Sequence, residues 1–460
     1  MKDRILNIGN RVEPFVDDWI IDRMDGINLK MHNPVDQEVV FKFDKPWEDI
    51  CSGFMSVSKD GDIYRNWYRA GQDSNQFPAY VESSDGVSWT RPDLRKVEFN
   101  GSLSNNILFD DPTTKNMCVF IDTNPSANPK EKHKAIAHGP KINGRATIRG
   151  LTSPDGIDWT ITDPDPLLIA PQDKWPMFDS TNIAFWDENQ KQYVAYMRGW
   201  VPGTQDIFSD HHGGVRSIRR SLSKDFHNWS EPEFIDLGGA PLEHLYTNAA
   251  TPYFRAPHIY LMFPRRFVAG RKNTIETEID GVSDTVFMTS RDGFYWDRRF
   301  MEPFISAGLD QNNWTDRSLT VAAGVLQTGP EEMSIYYKEH NRLPSCRMRR
   351  ASLRLDGFVS VNAPYQGGQL ITKPIICTGD NLAINYSTSA IGSITVELQE
   401  VHGSPIPGFE LENSMHIFGD HIERIVRWKD VKNLAEIRNR PIRIRFVMEK
   451  SADIYSLSFK

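Results

Sequence analysis

At 460 residues, with 39% hydrophobic and 11% aromatic side chains, the chain carries enough apolar material for a core and falls outside the disordered class. A net charge of −8, with no block of lysine or arginine, argues against a nucleic-acid partner or an anionic membrane surface. The length exceeds one ordinary compact domain, so a large domain plus a small one is expected.

The start, MKDRILNIGNRVEPF, contains no apolar run long enough for a secretory signal, and no 18-residue apolar stretch follows. A soluble, unanchored protein is expected, either cytoplasmic or exported with its signal already removed. Cys51, Cys118, Cys346 and Cys377 form no C-x-x-C pair, which indicates neither a zinc cluster nor a disulfide framework. The first strand candidate, VEPFVDDWII (12–21), is expected to pair with the last repeat described next and close a ring of sheets.

One signal recurs along the chain. It reads S-S-D-G-V-S-W from Ser83, S-P-D-G-I-D-W from Ser153, S-K-D-F-H-N-W from Ser223 and S-R-D-G-F-Y-W from Ser290, with a weaker copy, L-R-L-D-G-F-V, from Leu353. Its aspartates, Asp85, Asp155, Asp225, Asp292 and Asp356, are 70, 70, 67 and 64 residues apart by subtraction. Near-constant spacing means one supersecondary unit used five times. The Asp-Gly pair supplies a tight turn, the carboxylate accepting backbone N–H groups and the glycine taking φ > 0, so these aspartates are read as structural.

Two further strand candidates precede each turn: GFMSVS and IYRNWYRA, then TNIAFW and QYVAYMRG, AATPYF and IYLMFPRRF, LTVAAGVL and MSIYYKE. Four strands per unit, five times over, predict a five-bladed β-propeller over 1–365. Beyond Tyr365 the repeat stops, and the alternating segments ITVELQEV, HIERIVRW and IRIRFVME predict a small β-sandwich over 366–460, an accessory domain without a catalytic-looking cluster.

In a four-stranded meander, the residues before the first strand and at the end of the second meet at one mouth of the channel, because neighbouring strands are antiparallel. Before the first strands stand Trp47-Glu48-Asp49, Phe178-Asp179-Ser180, Glu243-His244-Leu245-Tyr246 and Trp314-Thr315-Asp316; at the ends of the second stand Arg69, His138, Arg198, Arg265 with Arg266, and Glu339 with His340. Carboxylates gathered with arginine and tryptophan suit glycosidic-bond cleavage, which needs a carboxylic acid for the leaving oxygen and a carboxylate on the opposite face. Asp49 and Asp179 are assigned as nucleophile, base or orienting carboxylates and Glu243 as general acid. Arg69, His138, Arg198, Arg265, Arg266, Asp316, Glu339 and His340 are expected to bind substrate, with Trp47, Trp175, Trp200 and Trp314 placed to stack on sugar faces. No metal or other cofactor is expected. The stretch Asp210-His211-His212-Gly213-Gly214 is read as a loop, since adjacent histidines on a strand point apart.

On these repeats and mouth residues the chain resembles the five-bladed propeller glycoside hydrolases, the fructan hydrolases of family 32 and the arabinan or xylan side-chain hydrolases of family 43. The resemblance implies three mouth carboxylates on successive blades. Its nearest counterpart to the fructan group's W-M-N-D-P-N-G is Pro46-Trp47-Glu48-Asp49-Ile50-Cys51-Ser52-Gly53, and the R-D-P and E-C signatures are absent. The turns also look like the Asp-boxes of sialidases. Three functions are compatible with such a mouth: hydrolysis of an oligosaccharide or polysaccharide, on a furanoside or an anionic sugar; a phosphorylase using the arginines for phosphate; or carbohydrate binding without chemistry.

Overall fold

Each Ser-x-Asp-Gly-x-x-Trp copy closes on itself. Ser83 Oγ accepts the Gly86 N–H at 2.9 Å, Asp85 Oδ1 accepts those of Val87 and Ser88 at 2.8 and 2.7 Å, and Trp89 Nε1 donates to the Gly86 carbonyl oxygen at 3.2 Å. The copies at 153–159, 223–229 and 290–296 repeat all four contacts. Gly86 stands at φ 76°, where glycine has no steric penalty; Phe226 holds the same place at φ 70°. The backbone N–H groups of Ser88 and Val87 pull the Asp85 carboxyl down to about 2. Asp85→Ala is expected to lower stability by about 1 kcal/mol at neutral pH, read by urea unfolding. A depressed native pKa stabilises above the unfolded value and fades as pH falls through the native one, so the deficit should shrink between about pH 4 and pH 2.

The fifth copy makes a different turn. Asp356 itself takes φ 61°, one position early, and its buried carboxylate accepts Asn385 Nδ2 at 3.2 Å and Ser456 Oγ at 2.6 Å.

The computed structural model describes residues 5–71, 76–171, 177–202, 213–273, 275, 279–431 and 433–460. The chain is all-β and divides into two compact units, Pro34–Ser352 and the residues up to Asn33 together with Leu353–Lys460. The segment before residue 34 therefore joins the C-terminal unit, in place of the expected 1–365 and 366–460 division.

In Pro34–Ser352 the strands form successive antiparallel groups. The first is Gly53–Asp60, Ile63–Ala70 and Phe77–Ser83; the second runs through Lys115–Ile121, His133–Ile142 and Arg145–Ser153; the third through Ile183–Asp187, Gln192–Pro202 and Gly214–Ser223. The fourth is split into two three-stranded pieces at Phe263-Pro264, between Ala256–Met262 and Arg265–Val268, where proline has no N–H to give to a ladder. The last contains Thr320–Val321, Glu332–Glu339 and Arg347–Arg354, and its outer strand is Val35–Lys42. That strand, not 12–21, joins the last group; Glu13–Pro14 pairs instead with Leu457 and Ser456. Residues 57–58, 119–121 with 123, 183–186, 250–252 and 323–324, one segment from each group, line a single cavity of ≈ 210 Å³.

The other unit has two six-stranded sheets, one centred on Pro441–Glu449 and the other on Ala452–Phe459. Alternation along these strands places Ile442, Ile444, Phe446 and Met448 with Val396, Leu398, Ile454 and Leu457 in one buried core. Among the described residues no helix is long and apolar enough to cross a membrane.

Candidate active site

The strand groups repeat one local contact. The Phe178 N–H donates to the Arg198 carbonyl oxygen at 3.3 Å, the Tyr246 N–H to that of Arg265 at 2.8 Å and the Leu319 N–H to that of Lys338 at 2.7 Å. In the first two groups Gly53 stands opposite Arg69 and Lys115 opposite His138. Arg69, His138, Arg198, Arg265 and Lys338 thus hold equivalent places on the second strands. Because strand side chains alternate, Arg266 and Glu339 point away from the face that Arg265 and Lys338 occupy.

Two of them, Arg198 and Arg265, meet a further arginine, Arg216, around Tyr246. The guanidinium carbons of Arg265, Arg216 and Arg198 lie 4.1, 5.0 and 5.2 Å from the centre of its ring. Arg216 also stacks on Trp200 at 4.4 Å, and its backbone N–H donates to His244 Nδ1 at 3.0 Å. Arg265 is fully buried; it gives Thr320 Oγ1 a hydrogen bond of 2.8 Å, while its Nε and Nη2 have no hydrogen-bond partner among the described residues. Burial pushes its pKa down to about 9, with Tyr246 opposing and Arg317 adding to the fall. Lys338, also buried, donates to Asn341 Oδ1 at 2.6 Å and is pushed down to about 8 by burial, with Arg69 and Arg265 adding to the fall against the buried thiols of Cys346 and Cys51.

Among the described residues three carboxylates border this cluster. Asp49 Oδ1 accepts the Cys51 N–H at 2.7 Å, within electrostatic reach of Arg69, which itself donates to the Cys51 carbonyl oxygen at 2.6 Å. Asp316, buried, is held by Arg317 and Arg342 at 3.0 Å each and by Asn341 at 3.1 Å. Asp179 accepts Arg198 Nη2 at 2.8 Å. Its side chain is 61% exposed and sits on the wall of a cleft. Burial there works against its charge, but Arg198 first, then His138 and Arg317, hold the carboxyl below the ordinary range. His138 faces it, bonded through Nε2 to the Ser180 carbonyl oxygen at 3.0 Å; burial lowers its pKa against the pull of Asp179. The cleft has a volume of ≈ 710 Å³, and Asp179, His138, Lys115, Lys141 and Arg145 are among its lining residues.

Several expected site residues are engaged elsewhere. Glu243, buried, accepts Arg266 Nη1 at 2.9 Å and Arg298 Nη2 at 3.2 Å, and Arg266 in turn grips Asp284 with two nitrogens, at 2.8 and 2.6 Å. Glu243 therefore anchors an ion-pair network on the Arg266 face, a structural engagement that the general-acid assignment did not foresee. Glu339 is bound by Arg347 at 2.7 Å and Arg349 at 2.8 Å. His340, at φ 56°, is fixed between Asp310 and Ser345, each at 2.8 Å. Trp47 donates to Asn106 Oδ1 at 2.9 Å and packs edge-on against Phe99; Trp314 donates to the Gly308 carbonyl oxygen at 3.0 Å. Trp175 and Asp210-His211-His212 lie outside the described residues.

Arg216, Arg317 and Lys338 are the members of the cluster that sequence reasoning did not single out, and Tyr246 was placed at the mouth without a role. Lys338 stands directly opposite Thr320, whereas Arg265 lies one residue beyond the His244–Leu245 pairing, so no common offset marked the two.

No family model matches the chain, and no curated protein matches it. Among solved structures it is similar to an N-acetylgalactosamine deacetylase from F. plautii in complex with blood group B trisaccharide, at 13% identity over 73% of this chain and 97% of that one, TM-score 0.46. It is also similar to a glycoside hydrolase family 43 arabinoxylan arabinofuranohydrolase from Bacillus subtilis, at 12% identity over 93% and 99%, TM-score 0.41. The catalytic domain of a GH62 alpha-L-arabinofuranosidase from Coprinopsis cinerea is similar at 13% identity over 70% and 96%, TM-score 0.42. Likeness at this level assigns no residue a role.

Proposed function

We propose that the protein is a glycoside hydrolase whose Pro34–Ser352 unit is a five-bladed β-propeller and whose other unit is an accessory β-sandwich. The blade count rests on the cavity lined by one segment from each of five strand groups. The observation that carries the function is Asp179, a carboxylate on a cleft wall held ionised by Arg198 at 2.8 Å. It serves as nucleophile or as base for water. The proton-donor role goes to Asp49, whose carboxylate is met by the Cys51 N–H and by no ion pair within 4 Å among the described residues. The substrate is an oligosaccharide or polysaccharide with a furanose or an anionic sugar at the bond cleaved. Arg198 fixes Asp179 beside Tyr246, while Arg69 and Arg265 lie behind them.

Incubation with aryl glycosides and natural oligosaccharides, with and without phosphate, tests this. Free reducing sugar should appear without phosphate. Sugar phosphate formed only when phosphate is added makes the protein a phosphorylase, and glycan binding with no product in either arm makes it a binding module; either result overturns hydrolysis.

A further inference from the structure

The loop between Glu332–Glu339 and Arg347–Arg354 reads His340-Asn341-Arg342-Leu343-Pro344-Ser345-Cys346. The Leu343 N–H donates to the His340 carbonyl oxygen at 3.1 Å and the Cys346 N–H to that of Leu343 at 2.9 Å, so two consecutive turns fold Ser345 back towards His340. Pro344 holds the second position of the later turn, which its fixed φ suits. His340 and Arg342 take φ 56° and 67°, left-handed conformations of a kind that clusters at functional sites.

The turns bring a serine onto a histidine that a carboxylate already holds. Ser345 Oγ lies 2.8 Å from His340 Nδ1, and His340 Nε2 lies 2.8 Å from Asp310 Oδ2. Asp310 is itself fixed: its Oδ1 accepts the Asn312 N–H at 3.1 Å as the cap of Gln311–Asn313, and Arg347 Nη2 reaches its Oδ2 at 3.5 Å. Burial works against the Asp310 charge, but His340, the Asn312 N–H and Arg347 hold the carboxyl below the ordinary range. An ionised carboxylate only accepts, so Nε2 carries the imidazole proton, and in the neutral ring Nδ1 accepts from the Ser345 hydroxyl. Nucleophile, base and orienting carboxylate thus stand hydrogen-bonded in a row, the arrangement that activates a serine wherever it occurs in a chain. The base is buried and the serine is exposed to solvent. The Ser345 backbone N–H forms no hydrogen bond among the described residues, which leaves it as a donor for an oxyanion formed at its own side chain. Asn341 and Arg342 of the same loop donate to Asp316 at 3.1 and 3.0 Å, which places the row beside the carboxylates of the candidate active site.

We propose that Ser345, His340 and Asp310 form a second catalytic site, one that hydrolyses carboxylic esters. Ser345 Oγ attacks the ester carbonyl carbon while His340 Nδ1 takes its proton, and the Ser345 N–H meets the tetrahedral oxyanion. The bond from carbon to the alcohol oxygen breaks, and His340 returns the proton to that oxygen. Water then attacks the acyl-serine, giving a proton to His340 Nδ1, and the carboxylic acid departs as Ser345 Oγ recovers that proton. Asp310 touches no substrate; it is a positioning residue that keeps Nε2 protonated and stabilises the imidazolium. The site stands whether or not the neighbouring carboxylates cleave a glycoside.

The test gives the whole protein 4-nitrophenyl acetate and O-acetylated oligosaccharides and follows acetate release. Turnover well above the buffer rate is expected. Release from the acetylated sugar would make the alcohol a saccharide, and release from the aryl ester alone would support the site with another alcohol. Ser345→Ala, at an exposed position, should lower kcat/KM about a hundredfold or more. Asp310→Asn keeps a side chain that caps equally well but offers Nε2 an amide, which favours the wrong tautomer; kcat should fall about a hundredfold with KM little changed. An alkyl fluorophosphonate, losing fluoride to Ser345 Oγ, should leave one label per chain at Ser345 by peptide mass spectrometry, and none in His340→Asn, where asparagine tolerates φ 56°. Melting curves verify that each variant is folded, and if Asp310→Asn is not, Ser345→Ala and the label decide. Ester hydrolysis no faster than in buffer, a full rate in Ser345→Ala, or label and acetyl found on other residues would each overturn the proposal and leave the row a structural hydrogen-bond chain.

Discussion

Asp179→Asn should lower kcat about a thousandfold while the protein stays folded, the range expected when a positioned base or nucleophile is lost. Asparagine keeps an oxygen for Arg198 Nη2, so the 2.8 Å contact has a neutral successor and the melting temperature should move little. What disappears is the negative charge that the cleft has arranged to keep. Arg198, His138 and Arg317 outweigh burial and hold the carboxyl below the ordinary range, so the wild-type group stays ionised at any pH above that lowered value. The acidic limb of kcat/KM should therefore lie below about pH 4, and the residual activity of Asp179→Asn should lack that limb. Steady-state rates from pH 3 to 8 on a cleaved glycoside, with circular dichroism as the control for folding, check both. A variant with undiminished kcat would remove Asp179 from the chemistry.

Much of the fold was legible because the signal repeats. Four near-identical turns, each carrying Ser, Asp, a residue with φ > 0 and Trp at fixed offsets, marked where hairpins close, and the strands between them fell where the alternation placed them. What the sequence hid was long-range pairing. Glu13–Pro14 and Val35–Lys42 are both plausible outer strands, and only the partners, residues 456–457 for one and Arg347–Arg354 for the other, decide which joins the last group.

The site was half legible for a related reason. Choosing the end of the second strand found Arg69, His138, Arg198 and Arg265, but a one-residue uncertainty in where a strand ends inverts the face on which a side chain lies. Arg266 and Glu339 were read as facing the mouth; Lys338 was passed over. Before the first strand of the fourth group the most acidic residue, Glu243, drew the assignment, whereas the residue whose N–H meets the Arg265 carbonyl oxygen is Tyr246. A tyrosine among arginines gives no motif in the sequence, because Arg198, Arg216, Arg265 and Arg317 are drawn from two strand groups and the loop before the last one.

Glu243→Ala separates a catalytic role from a structural one. As a general acid it would be expected to cost turnover at little cost in stability. In the structure it neutralises Arg298, whose side chain is 1% exposed, and shares Arg266 with Asp284. Removing one partner from a buried pair leaves the other charge in a poorly solvated place, a loss of about 3 to 5 kcal/mol. Arg266 keeps Asp284, but Arg298 has Glu243 as its one carboxylate at 3.2 Å, and its Nε and Nη1 are already buried without a hydrogen-bond partner among the described residues. The midpoint of urea unfolding should accordingly drop sharply in Glu243→Ala and less in Glu243→Gln, which keeps an oxygen for one arginine. Turnover per folded molecule, measured well below the lowered melting temperature, should stay within a few fold of wild type. A thousandfold fall in kcat with unfolding unchanged would return Glu243 to the catalytic group and make the Arg298 pair incidental.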